Sequence, residues 1–409
     1  MPDIAYDVLT VEAVPDYIRS RPALAARIEQ ITDVREVGDG NLNLVFVVSG
    51  KDGTSAPAGL VLKQSLPYVR ADPSWPMAPE RNHAEARALR VHGSLAADLV
   101  PALYDADPDR FVLAVEDLSD HRVWRAALVD GERHDEAAAA LGRYVARTAF
   151  GTSAFGLASE PQKRLLAATV NPALCQITEL LLFTAPYTPG APGHDPVARG
   201  TDLAAAITAY VTDPDVVTAI GAAKWAFMTR AEALIHGDLH TGSVMVRPAT
   251  AKAEESTRAF DSEFAFYGPV GFDLGVLWAN LLLAAARSAA LGDTDNLRWR
   301  LAQPAAAWNA FTETFRALWP GRVAPATFTE GVLEGFLDQV RRDALAAAAA
   351  EAARRVVGPY PVADLETLPR PERAQAGRAV LAACRYLLLD PGAARAPVET
   401  LFDRVGDRL

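Results

Sequence analysis

The apolar residues of this chain change their spacing once, near residue 118, and that change limits the folds open to it. Before it the apolar runs are short and strand-like. "VREVGDGNLNLVFVVSG" leads a turn-rich "GDGN" into "LVFVV", "GLVLKQS" follows a loop holding Gly53 and Pro57, and "FVLAVEDLS" ends on acidic and polar residues. One stretch here, "PERNHAEARALRVHGSL", sets Glu85, Ala88 and Leu89 at helical spacing. From about residue 132 the pattern turns helical, through "DEAAAALGRYVARTAFGTSA", "CQITELLLF", "DLAAAITAYV" and "VVTAIGAAKWAFMTRAEAL" to "GFDLGVLWANLLLAAARSAA". Alanine runs such as "DALAAAAAEAARR" favour helix, because Ala loses no side-chain entropy on being fixed. Two short apolar strands, "SVMV" and "RAFDSEFAFY", interrupt the helices. At 409 residues the chain is too long for one ordinary core. The expectation is an α+β protein of two lobes, a small β-rich one over residues 1–118 and a larger, mostly helical one over 119–409.

Charge and composition exclude some functions. Lys and Arg number 40 against 51 Asp and Glu, a formal net charge of −11, which argues against a general nucleic-acid or anionic-membrane surface. Cys175 and Cys384 lie far apart and form no metal-ligand spacing. "MPDIAYDVLT" lacks the basic and apolar regions of a signal peptide. "VGFDLGVLWANLLLAAA" is interrupted by Asp273 and Asn280 and reads as buried helix. A soluble, cytoplasmic protein is expected.

"LIHGDLHTGSVMV", Leu234 to Val246, concentrates the candidate chemistry. It reads as a metal site on His236 and His240, as a loop that holds Asp238 for chemistry, or as a polar turn. Two histidines four apart can share a metal on a helix, but Gly237 and Gly242 disfavour a helix and no third N/S ligand lies near. His236 therefore suits a loop-fixing hydrogen bond, and Asp238 the chemistry. Downstream, "FDSEFAFYGPVGFD" sets Asp261 and Glu263 on alternate residues of an expected strand, on one side of it. Carboxylates clustered beside a nucleotide commonly hold a hard divalent cation. Upstream, Lys63 ends a strand, Glu85 sits on the next helix, and "GDGNLN" offers backbone amides to phosphate oxygens. Glycine turn, lysine strand, glutamate helix, acidic loop and metal carboxylates come in the order used for phosphoryl transfer in protein kinases.

"GDGNLNLVF", "VLKQSLPYVR", "SWP", "AVEDLS", "HGDLHTGS", "DSEFAFYGPVGFD" and "ARRVVG" together resemble the 5-methylthioribose kinases of bacteria and plants, over about residues 8–390. These belong with the aminoglycoside phosphotransferase-like and choline kinase-like enzymes. A general aminoglycoside phosphotransferase is less similar, carrying asparagine where Ser243 stands. The resemblance implies a bilobal protein-kinase-like fold, ATP and Mg2+ as cofactors, a small sugar as partner, and a homodimer. It implies that Asp238 is the base for the C1 hydroxyl of 5-methylthioribose, in methionine salvage. Asp261 and Glu263, flanking Ser262, would hold magnesium on the ATP phosphates. Lys63, positioned by Glu85, would contact the α/β-phosphates, and Asp39, Gly40, Asn41 and Asn43 would cover them. Glu116, Asp117 and Leu118 would present backbone groups to adenine, and Trp75 would close near the sugar. Arg354 and Arg355 would meet the substrate hydroxyls and the transferring phosphoryl group, a role for which Arg341 and Arg342 are the competing pair. Asp273 would orient the acidic loop or cap a helix. "RPATAKAEESTRA" would extend a hairpin at the surface. A 5-deoxypentose kinase, an aminoglycoside or small-alcohol phosphotransferase, and an inactive nucleotide-binding regulator are the alternatives on the same fold.

Overall fold

The computed structural model describes residues 6–38, 42–70, 72–191, 200–251 and 253–409. The chain divides into two compact units, one of residues 1–120 with 261–264, the other of residues 121–260 with 265–409. The first is β-rich and the second mostly helical, as the change of spacing predicts.

In the first unit five strands form one antiparallel sheet. They are β1 (Gln30–Val37), β2 (Asn43–Lys51), β3 (Pro57–Ser65), β4 (Leu103–Asp107) and β5 (Val112–Val115), in the order β1-β2-β3-β5-β4. Alternation along β2 and β3 sends Phe46, Val48, Leu60 and Leu62 to one face, each 0% exposed. There they pack with Val14, Ile18 and Leu24 from two short N-terminal helices, Val14–Ser20 and Pro22–Ala25, which the sequence pattern did not reveal. Each fully buried aliphatic side chain of this kind contributes roughly 1.5–3 kcal/mol. The same period of two turns Lys63 to the face opposite Leu62. Helix α1 (Arg81–Leu95) starts just after Pro79 and buries a face that includes Arg81, Glu85, Ala88 and Leu89.

The second unit is organised on α3 (Gly271–Ala290), in which every residue from Gly271 to Ala286 is buried. A helix apolar on all sides belongs inside a bundle, and here α2 (Ala137–Thr152), α4 (Thr294–Leu318), α5 (Glu330–Val357) and α6 (Arg370–Leu389) complete it. Gly271 and Gly275 let α5 approach closely: a Cβ would stand 2.3 Å from the Val340 carbonyl oxygen and 2.5 Å from that of Ala344. The alanines of α5 thus serve contact as well as propensity. Among the described residues no single helix is long and apolar enough to cross a membrane.

Short strands complete this unit, among them Arg122–Val123, which pairs antiparallel with Met245 and Val246. β6 (Ala233–Ile235) pairs antiparallel with β9 (Phe266–Gly268), and β7 (Val244–Arg247) with β8 (Ser256–Ala259). β7 and β8 form the hairpin expected of "RPATAKAEESTRA", with Pro248, Ala249, Thr250, Ala251 and Glu254 exposed between them. The single strand expected over "RAFDSEFAFY" is not formed. β8 stops at Ala259, Ser262–Phe264 make a 3-10 turn, and Asp261 takes a left-handed backbone at φ 65°. Asp261 and Glu263 are therefore brought together by a turn, not by the alternation of a strand. Aspartate tolerates this conformation better than most non-glycine residues.

Candidate active site

In the first unit the functional side chains converge around Lys63. Its ammonium lies 2.7 Å from Glu85 Oε2 and also pairs with Asp261. Burial disfavours the charged ammonium, but Asp261, Glu85 and Glu263 more than offset it and hold Lys63 above its ordinary pKa. Burial likewise pushes the Glu85 carboxyl up to about 7, against the pull of Lys63. Glu263 is 0% exposed; Arg81 Nε stands 3.2 Å from its Oε2, and Asn43 Nδ2 donates to the same oxygen at 3.1 Å. Arg81 also donates to Asn43 Oδ1 at 3.0 Å and to the carbonyls of Leu66 and Leu42. These bonds lock Glu263 in place, whereas the Asp261 side chain keeps 37% of its surface open to a ligand.

One oxygen from each of Glu85, Asp261 and Glu263 lies within 4.8 Å of the others, the one such acidic or histidine cluster among the described residues. An all-oxygen set of this kind suits a hard divalent cation. Two cations, Lys63 and Arg81, face three carboxylates, so the cluster has negative charge left for a divalent cation. Glu85 enters it as a third carboxylate that the sequence reading gave only to Lys63.

The other expected residues of the first unit have the following surroundings. Asn43 does not point to a phosphate site; as the first, buried residue of β2 its amide is committed to Glu263 and Arg81. The Glu116 N–H donates to the Ala102 carbonyl at 2.9 Å, so that group is not offered to a base. Asp117 accepts from the Ser119 N–H at 2.9 Å, and Leu118 is buried. Trp75 stands half-buried on a ribbon of Tyr68–Val69 with Asp72–Pro76. Ser262 is buried in its turn. Asp39, Gly40 and Asn41 lie outside the described residues.

In the second unit the loop after β6 presents Asp238. Gly237 takes φ 82°, and the N–H groups of His236 and Gly237 both donate to the Asp273 carboxylate, at 2.7 and 2.9 Å. Asp273 therefore orients the acidic loop and does not cap its own helix, whose N-cap is Val270. Burial pushes the Asp273 carboxyl up to about 7 although the two N–H bonds oppose it. His236 Nε2 lies 2.9 Å from the Phe260 carbonyl and Nδ1 accepts from the Asp238 N–H at 3.3 Å, so the ring is neutral and protonated on Nε2. His236 is thus the loop-fixing histidine expected. His240 sits on a loop entering the 3-10 turn Thr241–Ser243, not on a helix, which removes the shared-metal reading.

Helix α5 ends in Arg354 and Arg355, and both pair with Glu351 one turn earlier, Arg355 Nε at 2.7 Å. Arg355 also donates to the Tyr360 carbonyl at 3.0 Å. Asp238 feels this cluster. Burial raises its carboxyl above the usual range, Glu351 adds to that, and Arg354 and Arg355 act against it. Arg341 and Arg342 turn elsewhere, to Asp338 and the Ala396 carbonyl and to Gln339. Glu351 was not singled out from sequence, though its spacing of three and four from the arginines is that of helical ion pairs. Arg81, four residues before Glu85 on the same helix face, was missed in the same way.

Glu351 has a consequence for acid stability. Burial alone would raise its pKa, but the two guanidinium groups lower it from 4.5 to about 2. The native state thus favours the ionised form. The stabilisation is complete above about pH 4.5 and is lost as pH falls through about 2. Glu351→Gln is expected to melt several degrees below wild type near neutral pH, with the gap closing toward pH 2. Thermal melts across that range check this; a constant gap would contradict it.

Residues 33–308 match the phosphotransferase enzyme family. A methylthioribose kinase of Cronobacter sakazakii is 38% identical over 369 residues, covering 89% of each chain. Those of Pectobacterium carotovorum and Yersinia enterocolitica are 37% identical over 377 residues and 36% identical over 395, covering 90% and 94% of each chain. Near-full-length identity at this level, together with the family match over most of the chain, places the sequence: it belongs to the methylthioribose kinases of the phosphotransferase enzyme family.

Proposed function

We propose that this protein transfers the γ-phosphoryl group of ATP to the C1 hydroxyl of 5-methylthioribose, giving ADP and 5-methylthioribose 1-phosphate in methionine salvage. The observation that carries the reading is the buried Lys63–Glu85–Asp261–Glu263 cluster, in a chain whose relatives are methylthioribose kinases. In the first unit Lys63 meets the α/β-phosphates, and the segment from Glu116 to Leu118 meets adenine through its remaining backbone groups. Asp261 and Glu263, with Glu85 beside them, would hold Mg2+, which when bound neutralises phosphate charge.

In the second unit Asp238 takes the proton of the acceptor hydroxyl as its oxygen bonds to phosphorus and the β–γ bridging oxygen leaves with ADP. Arg354 and Arg355 hold the sugar hydroxyls and spread over the phosphoryl oxygens, which planar guanidinium groups can do several at a time. Trp75 closes near the sugar. The transition state is loose, so these groups act by position and charge rather than by covalent chemistry.

The protein works in the cytoplasm, on small molecules rather than nucleic acid or membrane, in keeping with a net charge of −11. It acts as a homodimer. Val217, Trp225 and Met228, exposed on one face of helix Pro214–Thr229, supply an apolar surface for self-association.

An ADP-release assay on a panel of sugars and aminoglycosides tests the substrate. Methylthioribose is expected to turn over at least tenfold better than 5-deoxyribose, and aminoglycosides not at all. Removal of divalent cations with a chelator should abolish turnover and added Mg2+ restore it. Turnover on aminoglycosides but not on methylthioribose would refute the reading.

A further inference from the structure

Arg125 lies on the short helix Trp124–Val129 and takes no part in the roles above. It donates through Nη2 to Asn280 Oδ1, and its Nε lies 3.3 Å from Asp364 Oδ2. Both partners are 0% exposed. Asn280 is itself oriented, because its Nδ2 donates to the Val276 carbonyl at 2.9 Å, which leaves the amide oxygen for Arg125. A fully buried carboxylate needs a cation beside it, and among the described residues Arg125 forms an ion pair with Asp364. The guanidinium is therefore held from two sides.

Its third side meets the loop that carries Asp238. At Gly242 the backbone runs beside both groups: a Cβ there would come within 3.0 Å of Arg125 Nη1 and 2.8 Å of His240 Cε1. A side chain there would press on both groups, so glycine lets the turn lie against them. Beyond it the His240 ring sets Nε2 3.4 Å from Asp238 Oδ2 and Nδ1 3.2 Å from Ser243 Oγ.

We propose that Arg125 is a positioning residue for the transfer reaction, clamped by Asn280 and Asp364 so that it fixes the Gly242 turn and keeps His240 an uncharged neighbour of Asp238. This rests on Asp238 being the base. The charged groups facing His240 are Asp238 on its own loop, Arg125 on the helix Trp124–Val129, and Glu351, Arg354 and Arg355 on α5. Three guanidinium groups against two carboxylates oppose a positive ring. Burial opposes it further, and the imidazole pKa lies well below its ordinary value, with Arg125 next after burial among the causes. An uncharged ring carries its proton on Nε2 toward Asp238 and accepts from the Ser243 hydroxyl at Nδ1. A charged ring would stabilise the Asp238 carboxylate and weaken it as a base.

The test uses Arg125→Met, Arg125→Lys and the double variant Arg125→Met/Asp364→Leu, which removes both buried charges and so guards against misfolding. In the double variant, and in Arg125→Met where it folds, kcat is expected to fall about 10- to 100-fold, less than the 10²–10⁴ attributable to a general base. ATP KM should be unchanged, and kcat should gain a new fall on the acid side as His240 becomes protonated. The imidazole NMR shifts of His240 should titrate at higher pH than in wild type. Arg125→Lys keeps the charge, so it should keep the wild-type pH profile while losing part of kcat. A double variant with wild-type kcat and an unmoved His240 titration overturns the proposal. If the His240 titration moves but the acid limb is absent, the fault lies in the assignment of Asp238, which Asp238→Asn tests separately.

Discussion

Asp238→Asn is expected to bind ATP as wild type does and to lose turnover by about 10²–10⁴, the share a positioned general base supplies. The substitution preserves shape and removes charge. The loop should survive it, because the loop is held through backbone N–H groups: Asp273 accepts from His236 and Gly237, and His236 anchors to the Phe260 carbonyl. None of these bonds uses the Asp238 carboxylate. The lost property is basicity, which burial and Glu351 favour by raising the carboxyl above its usual range while the arginines keep it ionisable. The ATP-binding residues assigned above belong to the other compact unit, so nucleotide affinity is an internal control. Single-turnover rates beside nucleotide titrations measure both quantities. A variant within tenfold of wild-type turnover, or one whose ATP affinity collapses, would show that Asp238 does something other than take the proton.

The sequence showed what repeats locally. "GLVLKQS" reads as a strand carrying Lys63 and "PERNHAEARALRVHGSL" as a helix carrying Glu85, and both elements form. "HGDLHTGS" was legible as a loop because two glycines deny it a helix, and Gly237 does take a left-handed backbone. Contacts between distant residues left fainter marks. Asp261 and Glu263 looked like alternate strand residues, yet a left-handed turn brings them together; nothing in the spacing of two distinguishes the cases. Asn43 sits 220 residues from Glu263, and no periodicity could reveal their hydrogen bond. The N-terminal helices escaped notice because their seven and four residues are too few to show a period. In sequence Asp273 reads equally as a loop anchor or a helix cap, and the His236 and Gly237 amides on its carboxylate decide for the first. Residue types were legible, then, wherever the backbone was regular, and the partnerships emerged only with the fold.

Replacing Arg354 with alanine is expected to lower kcat by about 10³–10⁵, the range for an arginine that stabilises a transferring phosphoryl group. The variant should fold with a lower melting temperature, because Glu351 loses one of its two cations but keeps Arg355 as a partner at 2.7 Å. Arg355→Ala should reduce turnover and also melt lower, since Arg355 additionally donates to the Tyr360 carbonyl at 3.0 Å. Lysine should not rescue either position: one ammonium cannot hold Glu351 and reach several oxygens in one plane as a guanidinium does. Arg342→Ala is the control, because its guanidinium bonds Gln339 on its own helix and has no counterpart of the Glu351 clamp. Steady-state kinetics on methylthioribose, with melting temperatures for each variant, separate the outcomes. Loss of turnover in Arg342→Ala together with an active Arg354→Ala would transfer the role to the earlier pair. The Glu351 clamp makes that result unexpected on physical grounds. A carboxylate buried at 1% exposure is stable only with its cations in place, so the fold itself keeps two guanidinium groups fixed in the electrostatic field of Asp238.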